Sequence, residues 1–391
     1  MYNSICSKLP VDPIDGMEFV MKKFTALLII VTLLLSLISC GDEEYPPVQS
    51  SELEKQVVMT VEYDGEKYNV KYELYRALFL NLRESVDGGD SSVWSGENKA
   101  EYIEKIDEII KKRASDIYAA LHVSKKIGAD PYSKEFDQAV KESISLSVNG
   151  GTYDDQKITG FGGDYNKYLE SLKENNLNYS VQDLLLRYNY ASIKIFEYYV
   201  GNLNGEFLEE TTQGKLEYTM DDVRSFYFSD DCVRVLKAHL SKDVFTRDDA
   251  NIAKVRIEEK AKFGETAVAE CIIGLVGTIS PTDIFCGDII GRHNLDEAFY
   301  SELENTAFEL PLFETSEILE VSTAFEDAYV VVYKTTKSET NFSEYYDKIR
   351  SAYVQNEVGK IIDSATDGLC ENFKSTSFLD SLDRASISIE Q

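Results

Sequence analysis

Histidine is almost missing from this chain. His122, His239 and His293 are the only three in 391 residues, and none has another three to five positions away, which excludes a multi-histidine zinc or iron site. Cysteine occurs six times but never as Cys-x-x-Cys, which argues against a zinc ribbon or a thioredoxin-type redox centre. Basic residues are outnumbered, with 40 Lys and Arg against 69 Asp and Glu for a formal charge of −29. Such a field repels phosphate backbones and anionic lipid surfaces, so no nucleic-acid partner is expected. What the chain has in quantity is apolar and aromatic: 43% hydrophobic residues, 25 Tyr and 19 Phe. That is too much for a disordered acidic chain, and at roughly 100 to 200 residues per domain the length predicts two or three folded domains.

The start of the chain reads as an address. Lys22 and Lys23 precede an uncharged run, rich in Leu and Ile, from Phe24 to Ile38. This has the charged and apolar regions of a secretory signal and is short for a membrane span of about 20 residues. The run ends in Leu37-Ile38-Ser39-Cys40 and switches to Gly41-Asp42-Glu43-Glu44. That pattern resembles the bacterial lipobox, in which the cysteine is acylated and becomes the new N-terminus; the competing reading is an ordinary N-terminal anchor with an incidental cysteine. Residues 1–39 are therefore assigned to a signal with a mis-started upstream extension, translation starting at Met17 or Met21. Residues 40–56 then form the lipidated Cys40 and a polar spacer. Cys232, Cys271, Cys286 and Cys370 remain in a compartment that permits disulfides; their irregular spacing suggests buried free thiols.

Beyond the spacer, Val57 to Val61, Asp64-Gly65 and Lys67 to Val70 predict a hairpin. Helices are predicted over 71–85, 98–126, 133–145, 165–175 and 181–203, the last opened by a Ser180/Asp183 capping box. Gly150 to Gly163 reads as a loop that does not fit a dinucleotide fingerprint. After a Thr219/Asp222 capping box the texture changes. A strand at 233–240, a charged helix at 251–263 with Ile252, Val255 and Ile257 inward, a helix at 266–276, a turn at Gly287-Asp288, a helix at 296–308 and strands at 317–321 and 329–334 make a compact α+β unit. An amphipathic helix over 342–373 and a loose Ser-rich tail close the chain.

The order of these elements resembles the PrsA-type extracytoplasmic foldases and the related SurA-type periplasmic chaperones. The Thr219 to Tyr227 stretch is similar to that family's lead-in helix, Ala238-His239-Leu240 to its first parvulin strand, and Gly287-Asp288 to its Gly-Asp turn. Phe299, Leu303 and Ala307 to Leu310 are similar to the helix that forms the proline pocket. The resemblance implies a mainly α fold with an α+β insert: a SurA-like helical chaperone domain at 57–230, completed by a C-terminal helix at 338–377, an inserted parvulin-like (FKBP-like) domain at 231–337, and a tail at 378–391. It implies a foldase on the outer face of the bacterial cytoplasmic membrane, held there by its N-terminal lipid, with unfolded exported polypeptides as partners and without cofactor or metal. His239 is the implied catalytic residue, with Phe299, Leu303, Phe308, Leu310 and Tyr329 at the substrate. The family's second histidine, in the last strand, has no counterpart, Tyr329 standing there.

An X-Pro amide rotates over a barrier of about 18 to 20 kcal/mol. Moving it from water into an apolar pocket, with a donor or acceptor that favours the twisted amide, speeds rotation without a nucleophile. Whether one histidine suffices stays open, so a catalytically silent parvulin-like chaperone stands beside the isomerase. The Tyr-rich helix with Tyr188, Tyr190, Phe196, Tyr198 and Tyr199 either lines a client cleft or packs on the C-terminal helix. A solute-binding lipoprotein is the alternative from another class and requires two similar α/β lobes.

Overall fold

A computed structural model describes residues 45–87, 94, 96, 99–153, 156–201, 214–276, 281–293, 297–322 and 327–387. Cys40 and the apolar run before it lie outside the described residues. In chain order the elements are β1 (Val57–Tyr63), β2 (Glu66–Lys71), α1 (Tyr72–Asp87), α2 (Lys99–Lys126), α3 (Lys134–Asn149), β3 (Gly151–Tyr153), β4 (Gln156–Ile158), α4 (Tyr165–Glu174) and α5 (Tyr179–Val200). They continue as α6 (Met220–Phe228), β5 (Cys232–Ser241), α7 (Arg247–Ala261), α8 (Glu265–Val276), α9 (Pro281–Cys286), β6 (Asp288–Gly291) and α10 (Glu297–Glu309). The last elements are β7 (Leu319–Ser322), β8 (Asp327–Thr335), α11 (Glu339–Glu344), α12 (Tyr346–Asn372), β9 (Lys374–Ser375) and α13 (Ser377–Ser381). Among the described residues, every strand pairing is antiparallel and no helix is long and apolar enough to cross a membrane.

The chain divides into two compact units, one of Met1–Tyr118, Asp137–Arg187 and Gly368–Gln391, the other of Ala119–Phe136 and Tyr188–Asp367. The first unit is built on the expected hairpin. Asp64 and Gly65 both take positive φ, 52° and 78°, as the tight turn requires, and Val58, Met59 and Val61 are buried. Tyr75 gives its hydroxyl to Asp107 at 2.6 Å, and burial pushes both the phenol and the carboxyl upward. Gly150 to Gly163 is more than a loop, since β3 and β4 pair within it. Gly160, at φ 59°, lies so close to the Gly150 backbone that a Cβ would meet its nitrogen at 2.1 Å. The start of α5 is capped by Asn178, whose side chain accepts from Val181 N at 2.9 Å. Ser180, the expected cap, instead donates to Glu73 at 2.8 Å.

The tail is not loose. β9 pairs with β1 through Met59↔Ser375 and Thr60↔Lys374, Arg384 bridges to Asp107 at 3.0 Å, Arg83 donates to the Ile387 carbonyl at 2.9 Å, and Ile387 is buried. Composition misleads here because three apolar side chains, Phe378, Leu379 and Ile387, are enough to seat a Ser-rich segment that also finds an open strand edge.

The second unit holds a four-stranded sheet of order β6-β5-β8-β7. Alternation along β5 and β8 splits its side chains between two faces. Val233, Val235, Val330 and Val332 pack with Leu303 and Ala307 of α10 on one face; Leu236, Ala238, Val331 and Tyr333 pack with Ile257, Val268 and Ile272 of α7 and α8 on the other. The side of α7 that faces the sheet is Ala250, Ala253 and Ile257, whereas Ile252 and Val255, expected inward, are exposed. The two residues sit at a helical angle opposite the alanines, and the charges that surround them in sequence give no periodicity by which to tell the two sides apart. Arg234 is fully buried in this unit, with its guanidinium spent on the Cys286, Phe285 and Thr336 carbonyls and on Glu265. The terminal helix is two helices, α11 and α12, broken at Tyr345. Phe226 and Tyr218 meet Tyr353 edge-on at 5.6 and 5.5 Å, which ties the lead-in helix to α12 within this unit.

Candidate functional site

His239 sits near the end of β5, half-buried, on the α10 face of the sheet. The register fixes its neighbours: directly across on β8 is Val330, and Leu319 of β7 lies opposite Val330 in turn. The residue facing the histidine is therefore aliphatic. Tyr329 pairs with Leu240 and packs with Ala250, Ala253 and Phe245 beneath Lys242, whose ammonium stands 4.9 Å from the ring centroid. The structure does not bring Tyr329 to His239, because neighbours along a strand point to opposite faces.

Leu303, Phe308 and Leu310 share the His239 face. Leu303 is only 3% exposed and belongs to the core under the sheet, while Phe308 and Leu310 pack on its margin, half-buried. The side chain of Phe299 lies outside the described residues. Phe308 is also displaced along the sheet. Its carbonyl accepts from Lys334 Nζ at 2.9 Å, and Lys334 pairs with Val235, four residues along β8 from Val330, a rise of about 13 Å. His239, Leu303, Phe308 and Leu310 thus occupy one face, with Phe308 displaced along it from His239, and Tyr329 lies on the other face.

The Phe308 end carries a cluster of cations that the sequence reading missed. The Arg292 guanidinium lies over the Phe308 ring at 4.3 Å, and Lys337 donates to the Ser229 and Cys232 carbonyls at 2.6 and 2.7 Å. Burial, with Lys337 and Arg292 nearby, holds Lys334 below the ordinary lysine range, and burial lowers Lys337 as well. Only the pairing of distant strands assembles these residues, so no local spacing advertised them. On the same face, near the middle of β5, Lys237 pairs with Asp288 at 2.6 Å.

Exposed apolar side chains form a second feature. Ile252 and Val255 stand a turn apart on the outer side of α7, and Val244 and Phe263 flank the helix, 74% and 77% exposed. In the segment after α10, Leu312 and Phe313 are also exposed; Phe313 holds a φ of 67°, pinned by its N–H to the Lys334 carbonyl at 2.9 Å. On the Tyr-rich helix, Tyr190 is committed to Phe136, edge-on at 4.6 Å, and to Glu135. Phe196 is buried and Tyr198 exposed.

No protein-family model and no curated protein matches the chain. Among solved structures, the foldase protein PrsA from Streptococcus pneumoniae str. Canada MDR_19A is similar, with 12% identity over 83% of this chain and 96% of that one and a TM-score of 0.24. The foldase protein PrsA from Lactococcus lactis is similar with 11% identity, the same coverage and a TM-score of 0.23. Superpositions at that level carry neither site residues nor activity from those proteins to this one.

Proposed function

We propose that the chain is a lipid-anchored extracytoplasmic foldase that holds unfolded exported polypeptides, with 231–337 as an inserted parvulin-like domain. The observation that carries this reading is the exposed apolar side of α7. The helix buries Ala250, Ala253 and Ile257 inward and presents Ile252 and Val255, a turn apart, to water. An exposed apolar pair of this kind offers a foothold to the apolar side chains of an unfolded client segment. The acidic body, formal charge −29, keeps loaded chains soluble and apart. A solute-binding protein would need two similar α/β lobes, and the antiparallel sheets of two, three and four strands among the described residues are a different plan.

The test is suppression of aggregation of a denatured secreted protein. Ile252→Ser with Val255→Ser is expected to reduce suppression severalfold at unchanged stability, and undiminished suppression would refute the surface.

A second reading adds peptidyl-prolyl isomerisation at His239, favoured by a half-buried imidazole on an apolar sheet face. Against strong catalysis stand Val330 as its cross-strand neighbour and the distance along the sheet to Phe308. A proline-peptide isomerisation assay separates the two readings. An uncatalysed rate for the wild type removes the enzyme, whereas a catalysed rate lost in His239→Ala establishes it.

A further inference from the structure

The stretch from residue 45 to 56, polar and proline-bearing, is built into the first unit. Tyr45 packs on Tyr165 with ring centroids 5.1 Å apart and donates its hydroxyl to Asn149 Oδ1 at 2.7 Å. Tyr165 donates in return to the Pro46 carbonyl at 2.8 Å. Further along, Ser50 donates to Glu73, and Asn178 Nδ2 reaches both Glu54 at 3.0 Å and Glu73 at 3.2 Å. The Gln56 carbonyl accepts from Tyr72 N at 2.7 Å. Glu73 is 5% exposed and also takes the Ser180 hydroxyl, so one buried carboxylate gathers the stretch onto the starts of α1 and α5. From Tyr45 onward this is body, not spacer.

Only residues 41–44 separate Tyr45 from Cys40. A peptide spans at most about 3.6 Å per residue, which limits Cys40 to about 18 Å from Tyr45. A free spacer of sixteen residues would reach about three times as far and would let any face of the protein approach a membrane. Resting on the reading that Cys40 carries lipid, we propose that the face of the first unit bearing Tyr45, Tyr165 and Asn166 is turned to the bilayer and held within that reach of the phospholipid headgroups. The partner is the lipid surface itself, and the contact is imposed by a short tether instead of a basic patch. With a Debye length of about 8 Å at physiological salt, repulsion between the acidic body and anionic headgroups is already damped at this range, so the tether sets the orientation.

The experiment uses the full chain, purified with its own N-terminus from membranes and reconstituted into phosphatidylcholine/phosphatidylglycerol vesicles containing dansyl-phosphatidylethanolamine. Asn166 is exposed and the chain has one tryptophan, Trp94, so Asn166→Trp supplies an energy donor on the proposed face. It is read in a Trp94→Phe background, or as a difference spectrum with Trp94 kept if that background fails to fold. Transfer to the dansyl headgroups is expected to fall at least about twofold when about fifteen Gly and Ser residues, a coil of roughly 22 Å, are inserted between Glu44 and Tyr45. A smaller fall is expected in Tyr45→Ala with Tyr165→Ala, which frees residues 45–49 while the Ser50 and Asn178 bonds to Glu73 and Glu54 keep the rest of the stretch in place. Equal transfer with and without the insertion, in protein shown by mass spectrometry to carry lipid on Cys40, overturns the orientation alone. Membrane-extracted chain in which mass spectrometry finds residues 1–39 still attached and no lipid on Cys40 overturns the anchor on which the proposal rests.

Discussion

Arg234 offers the sharpest test of how the sheet is held. Its side chain is inaccessible to solvent, and its guanidinium makes four hydrogen bonds: Nε to Cys286 O at 2.7 Å, Nη1 to Thr336 O at 3.0 Å, and Nη2 to Phe285 O at 2.6 Å and Glu265 Oε1 at 2.7 Å. Through them one side chain of β5 binds the end of α9, the end of β8 and the first turn of α8. Arg234→Met fills much of the volume but strands three carbonyls and a carboxylate. Removing one partner of a buried ion pair costs about 3 to 5 kcal/mol. Glu265 keeps 28% of its side-chain surface and can be rehydrated, so the low end applies, about 3 kcal/mol. Read by hydrogen exchange with mass spectrometry, the β5 amides are expected to exchange about a hundredfold faster, at tenfold per 1.4 kcal/mol. Adding Glu265→Gln, which removes the orphaned charge and keeps an acceptor for the Thr335 hydroxyl that now bonds Glu265, is expected to recover at least about 1 kcal/mol. Exchange within about threefold of wild type in the single variant would refute the reasoning, since the ladder would then stand on strand pairing and core packing alone.

Further outcomes follow from other positions. Burial pushes the Cys232 thiol up to about 12, and Cys286 is buried too while Cys271 and Cys370 are half-buried. Of these four, Cys271 and Cys370 are expected to react with a water-soluble disulfide reagent at pH 8 in the folded protein, and Cys232 and Cys286 only after unfolding. Phe313→Gly relieves a left-handed backbone, and the gain of about 0.5 to 1 kcal/mol, net of the added chain entropy in the unfolded state, is read as a higher urea midpoint. Asp222 and Asp249 close capping boxes, and their hydrogen bonds to Thr219 and Thr246 lower both carboxyls below the ordinary 3.8. A lowered carboxyl adds stability that is complete above its unfolded value and lost as pH falls through its folded one. Protection of the first-turn amides of α6 and α7, corrected for intrinsic exchange, is therefore expected to hold at pH 5 and decline below about 3.8; a flat profile would contradict the capping assignment.

Much of the architecture was legible because it is written locally. The Asp64-Gly65 turn, the Thr219/Asp222 box and the Leu and Ile spacing of α2 each require a few neighbouring residues, and each appears where expected. The candidate site fared differently. Strand alternation tells which β5 residues share a face, yet only the β5–β8 register reveals that Val330, and not Tyr329, stands across from His239. The Arg292 and Lys334 cluster around Phe308 joins three separate elements, and the outward turn of Ile252 and Val255 is decided by what the alanines of α7 find beneath them. The strand β6, short and packed beside β5, carried too few residues to show a period.

The seating of the tail has a temporal consequence. The Thr376 hydroxyl bonds the Val57 carbonyl across 319 positions of sequence, and β9 completes the edge of a sheet that β1 opened. A contact of such long range closes late. During synthesis the first strand to appear waits for the segment around β9, so the first unit stays incomplete until that segment has emerged.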